Sequence, residues 1–227
     1  MKKTGFFITF LLFFAANAIA GLQVQMSYCT FYSPGSNSYV EVYLSFIPND
    51  IKYVKTDNGY YGEIDVTYTF NKGDEIYKEE QFVVQTPLVK DTLIGSPPFV
   101  SQHRIFLGNG DYDMTLNIQE KNSTNEAIET TQKISLIYTN KLFALSDIEL
   151  FQSSKPSKEQ NMFQKNGYEI IPYAYDIVPQ EMNQIGFYAE LYNADIKLGL
   201  DSAFLITYYL EGHEDGIIIK GFKGYSR

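Results

Sequence analysis

Side chains able to do chemistry are few in this chain. Imidazole comes only from His103 and His213, and thiol only from Cys29. An ordinary zinc site needs three or four clustered Cys, His or carboxylate ligands, which this supply does not furnish. His103 falls in an alternating apolar stretch and His213 in the turn Gly212-His213-Glu214-Asp215-Gly216, so packing and solvent account for both. Asn109, Asp111 and Asp113 gather oxygens around a turn, but their spacing is not that of a calcium loop and reads as a hairpin with solvated acids. The 27 acidic residues contain no motif that singles out an acid and base pair. No Gly-rich phosphate loop or nucleophile elbow is present either. The expectation is a protein with no catalytic residues, no metal ligands and no cofactor.

The charge points the same way. A net charge of −9, with acids scattered along 227 residues, opposes contact with nucleic acid, which needs a basic face. It equally opposes electrostatic docking on anionic lipid. With 19 Tyr, 17 Phe and no Trp, the aromatic content suits the pleated, half-buried surfaces of sheets.

Positioning falls to β-strands, and a repeat shows how they are organised. Tyr39-Val40-Glu41-Val42-Tyr43 recurs as Tyr188-Ala189-Glu190-Leu191-Tyr192. Period-two alternation puts Val40, Val42, Leu44 and Phe46 on one face and Tyr39, Glu41, Tyr43 and Ser45 on the other, which predicts a half-buried strand. In the second copy Phe187, Ala189 and Leu191 take the inward places. A second echo, Val66-Thr67-Tyr68-Thr69-Phe70 against Ile206-Thr207-Tyr208-Tyr209-Leu210, follows in the same order, and each ends in a turn rich in Gly, Asn and Asp. Matching faces predict matching roles in two β-units.

In the first unit, strands are expected over 24–32, 38–46, 63–70, 75–84, 99–107, 112–118 and 127–138. Residues 86–98, with three prolines and a glycine, read as a crossover. Gly108-Asn109-Gly110 reads as a tight hairpin, with Tyr112 in a role like that of a tyrosine corner. Seven or so short strands at regular turn spacing predict an immunoglobulin-like β-sandwich. The second unit is expected to open at 147–151 and to carry a polar insertion over 152–184 before the repeated motif. It lacks counterparts of the last strands of the first unit, which predicts an incomplete module with an open edge. Helical signals are scarce.

At the N-terminus Lys2-Lys3, the apolar run 6–16 and Ala18-Ile19-Ala20 form the pattern of a secretory signal peptide cut after Ala20. The run is shorter than the roughly 20 residues of a spanning helix. The expected organisation is a signal peptide over 1–20, a first sandwich module over 21–140 and a second, partial one over 141–227. Cys29 has no partner for an internal disulfide and reads as a small buried hydrophobe.

Tyr32-Ser33-Pro34-Gly35, the strand 39–46, Leu145-Ser146-Asp147-Ile148-Glu149-Leu150, Lys165-Asn166-Gly167-Tyr168 with Ile171-Pro172, and Phe187 to Asn193 resemble the N-terminal region of GWxTD-domain proteins, exported proteins of Bacteroidota. The resemblance covers nearly all of the chain after residue 20 and implies tandem β-sandwich modules and export to the periplasm or outer cell surface. The namesake motif is absent, since the chain has no Trp. Asp91-Thr92-Leu93 and Asp201-Ser202-Ala203 are similar to the O-glycosylation tripeptide of such exported proteins, making Thr92 and Ser202 candidate acceptors.

The functional expectation is a non-catalytic envelope protein acting as an interaction or assembly scaffold. Tyr39, Tyr43, Tyr188 and Tyr192 would form its contact surface, because Tyr buries area at low entropic cost. Its partner would be another envelope protein or a second copy joined through the incomplete module. The alternative is a glycan-binding accessory module of a polysaccharide-uptake system with tyrosines as sugar platforms, a role for which the missing Trp is a poor omen.

Overall fold

The computed structural model describes residues 21–48, 51–175, 177–212 and 218–226. The expected signal peptide and His213 lie outside them. The first unit contains β1 (Leu22–Tyr32), β2 (Ser38–Pro48), β3 (Tyr53–Thr56), β4 (Gly59–Lys72), β5 (Glu75–Gln85), β6 (Phe99–Phe106), β7 (Gly110–Glu120) and β8 (Ile128–Leu136). They form two antiparallel sheets. One is three-stranded, in the order β1-β2-β6, and the other follows β3-β4-β7-β8 with β5 on β4.

The core lies between these sheets and follows the period-two reading. Val40, Val42, Leu44 and Phe46 of β2 meet Ile64, Val66, Tyr68 and Phe70 of β4 and Tyr112, Met114, Leu116 and Ile118 of β7. Each large apolar side chain taken out of water here contributes roughly 1.5–3 kcal/mol before conformational entropy is counted. All-β architecture and the sandwich are therefore as the alternation predicts.

The corner at Gly108-Asn109-Gly110 differs from expectation. It does not join a hairpin, because β6 and β7 belong to different sheets. The chain crosses from one sheet to the other there, and side chains hold the crossing. Tyr112 Oη donates to the Gly108 carbonyl at 2.9 Å, the hydrogen bond expected of a tyrosine corner. Asn109 accepts from Ser38 Oγ at 2.7 Å and donates to the Tyr138 carbonyl at 2.5 Å. A Gly-Asn-Gly string marks a sharp reversal but not which sheet receives the next strand.

The rest of the chain contains β9 (Ala144–Leu145), β10 (Glu149–Pro156), β11 (Gln164–Lys165), β12 (Tyr168–Pro172), β13 (Gly186–Tyr188), β14 (Leu191–Tyr192), the five-residue α1 (Ala194–Leu198), β15 (Phe204–Glu211) and β16 (Ile218–Ser226). A sheet ordered β11-β12-β10-β13 is its centre, β14 pairs with β9, and β15 pairs with β16. The 152–184 segment is thus not a plain surface insertion, since its residues finish β10 and form β11 and β12.

The expected matching roles of the repeat also fail. The first copy lies in the central strand β2, buried on both faces rather than one. The second is split between β13 and β14 at Ala189-Glu190. In the downstream pair, Val66 to Phe70 alternates into the core, whereas Leu205, Ile206, Tyr209 and Leu210 of β15 are exposed. Similar strings acquire different burial because different neighbours cover them.

Candidate functional site

The outer face of the β1-β2-β6 sheet carries a row of polar and charged residues. In register, Cys29 of β1 sits beside Glu41 of β2, and Glu41 beside Arg104 of β6. Tyr39 and Tyr43 flank Glu41 on the same face, two residues away on either side. Such a face would ordinarily be solvated. Here the second half of the chain covers it, and Glu41 is fully buried.

The cover brings Lys165, Glu149 and Tyr188. Lys165 reaches the face from the tip of a hairpin whose two-residue loop, Asn166-Gly167, has φ of 46° and 85°. Those positive values fit the tight turn that matches strand twist, and Asn-Gly is the pair that adopts it most easily. The Lys165 ammonium forms ion pairs with both Glu41 and Glu149 and lies 3.4 Å from Tyr43 Oη. Aromatic faces surround it as well, with Nζ 4.2 Å from the Phe31 centroid, 5.0 Å from Tyr188 and 5.7 Å from Tyr43. Rings present electron-rich faces to a cation, so this wall helps replace lost water.

The two carboxylates are treated differently. Glu41 has a partner on every side: Arg104 Nε donates to Oε1 at 2.8 Å, and Tyr43 Oη donates to Oε2 at 2.9 Å beside the Lys165 ion pair. Glu149 is equally buried, but its Oε1 has no hydrogen-bond partner. Burial raises its carboxyl above the usual range and outweighs the opposing pull of Lys165. Burial likewise pushes the Cys29 thiol up to about 12, so it is an inert neighbour. Tyr43 and Tyr39 are raised by burial and then by Glu41, so both stay as neutral donors.

The second copy of the motif, though differently placed, also pairs its phenols with its glutamate where the two halves of the chain meet. Tyr188 and Tyr192 both donate to Glu190, the latter at 2.7 Å. Tyr192 Oη also accepts the backbone N–H of Tyr32 at 2.9 Å, reaching across to the first unit. Nearby, Asp147 accepts from the Thr30 N–H at 2.8 Å and from Thr30 Oγ1 at 2.7 Å. The Tyr-x-Glu-x-Tyr string thus has a physical meaning. Residues two apart share a face, and a phenol is long enough to reach the carboxylate between.

These positions overturn the assignment of Tyr39, Tyr43, Tyr188 and Tyr192 as an outward contact surface. Tyr39, Tyr43 and Tyr192 are buried and Tyr188 is half-buried, because the chain's own second half occupies that face. Glu41, Glu149, Arg104 and Lys165 were not singled out by sequence reasoning. The available signals were a glutamate at the centre of a strand of high β-propensity and a lysine next to Asn-Gly.

His103 faces the sandwich core, stacked on Phe82 at 4.2 Å, with Tyr68 Oη 2.7 Å from Nδ1 and Ser101 Oγ 3.1 Å from Nε2. Burial lowers it to about 4, so it is neutral at pH 7. Thr92 and Ser202 are both exposed. Among the described residues no group of three or more His, Cys, Asp or Glu could hold a metal ion, and no helix is long and apolar enough to cross a membrane. Comparison of the chain with protein-family models, with curated proteins and with solved structures gives no match in any of the three.

Proposed function

We propose that this chain is a non-catalytic exported envelope protein that acts as an interaction scaffold built from tandem immunoglobulin-like modules. The observation that carries the reading is the β15–β16 ribbon. Among the described residues these strands pair only with each other, and Leu205, Ile206, Tyr209 and Leu210 leave apolar surface exposed on both faces of β15. A two-stranded ribbon is marginal in water without a third strand or a packed face. Tyr208 of the ribbon meets Phe187 at 5.0 Å. A strand of another envelope protein would complete it, by edge pairing together with burial of these side chains. The signal-peptide pattern and the resemblance to exported proteins support the location.

The test is photo-crosslinking in the native envelope with a reactive residue at Leu205 or Leu210. A discrete adduct that disappears in the Ile206→Lys, Tyr209→Lys variant is expected. No adduct at either position, or one unaffected by the variant, refutes the scaffold reading. The glycan-binding alternative loses Tyr39, Tyr43 and Tyr192 as platforms, since all three are buried. Glycan-array binding above background would restore it.

A further inference from the structure

We propose that Lys165 and Glu149 condense into an intramolecular isopeptide amide, with Glu41 moving the protons, so that the β11–β12 hairpin is covalently fastened to β10. Three geometric observations carry this. The Lys165 nitrogen is in direct contact with Glu149 and with Glu41. All three side chains are almost wholly removed from water. The two carboxylates also have unequal surroundings. Glu41 is held by Arg104 and Tyr43 and stays a fixed base, whereas Glu149 has a bare Oε1 and can act as the acyl group.

The step balances without any co-reactant. Within the buried pair, the Lys165 ammonium gives one proton to Glu149, leaving a neutral amine against a neutral acid. Burial, which raises the Glu149 carboxyl, favours that exchange. The amine lone pair attacks Cδ of Glu149 and forms the Nζ–Cδ bond. Glu41 takes the excess proton from the nitrogen and delivers it to the departing hydroxyl. The Cδ–O bond breaks and one water leaves, with no change in oxidation state. Two buried charges become one neutral amide, which removes the desolvation penalty of holding them. The aromatic wall of Phe31, Tyr43 and Tyr188 keeps bulk water from the reverse reaction.

The experiment is a tryptic digest of the denatured full chain read by mass spectrometry. Trypsin separates 142–158, which contains Glu149, from the peptide that follows Lys158. An amidated Lys165 is no longer cleaved, so peptides 142–158 and 159–197 are expected joined, with a mass about 18 Da below their sum. Fragmentation should place the bond at Glu149 and Lys165. Glu149→Ala should abolish the joined species, and Glu41→Gln should lower its yield at least tenfold. Recovery of 142–158 and 159–165 as separate peptides in full yield from the wild-type chain overturns the proposal, whatever the variants do. A joined species that persists at wild-type yield in Glu41→Gln overturns the role of Glu41.

Discussion

Replacing Lys165 by Met would leave Glu149 buried without a cation. Glu41 keeps Arg104, whose Nη2 lies 2.5 Å from Oε1, but Glu149 has Lys165 as its ion-pair partner and an already bare Oε1. Removing one member of a buried pair costs about 3–5 kcal/mol, while replacing both members by apolar groups is often neutral. Lys165→Met/Glu149→Leu should therefore be more stable than Lys165→Met alone by about 3 kcal/mol at pH 7. Neither variant can form an amide at Lys165, so the comparison isolates the charge.

The sign with pH follows from the raised carboxyl of Glu149. A group whose folded pKa lies above its unfolded value stabilises fully below the unfolded pKa and loses that contribution as pH rises through the folded one. The advantage of the double variant should thus shrink towards zero near the ordinary carboxylate range, about pH 4. Urea denaturation of both proteins across that range is the assay. If the single variant matches or exceeds the double at pH 7, Glu149 is not the buried, lysine-dependent charge described above.

Two further outcomes follow from local geometry. His103 is lowered to about 4 by burial, so its neutral form stabilises the fold above the unfolded pKa of about 6.5, and this is lost as pH falls towards 4. The loss should total about 3 kcal/mol, and His103→Phe should flatten that part of the stability profile; equal slopes for the two proteins would count against a buried neutral imidazole. Gly59 has φ of 140°, and an added Cβ would lie 2.4 Å from the Val89 carbonyl oxygen, whereas Gly35, at φ of 81°, faces open space. Gly59→Ala should therefore cost about 1–3 kcal/mol, and clearly more than Gly35→Ala; thermal melts that rank them the other way would contradict the Gly59–Val89 contact.

Much of the first unit is legible without coordinates. Alternation over 38–46, 63–70 and 112–118 identifies the inward rows, because a strand that buries one face must place its apolar residues at every second position. The Pro-rich 86–98 segment behaves as a crossover for a similarly local reason, since proline cannot donate to a ladder. Tyr112 was readable because its partner, the Gly108 carbonyl, is four residues away.

The joint was not legible in the same way. Tyr39, Glu41 and Tyr43 carry the chemistry of a solvated face, and local sequence holds nothing that says another part of the chain will cover it. Lys165 lies more than a hundred residues from Glu41, and its ion pairs exist only because the Asn-Gly hairpin is delivered onto that sheet. The sequence by itself determined the strands of the first unit, their core-facing rows and the small supply of imidazole and thiol, since these depend on residue type and period. Tertiary structure alone decided which outward face became an interior, because burial is a property of what packs against a strand. That placement turned two glutamates, a lysine and three aromatic rings into one site.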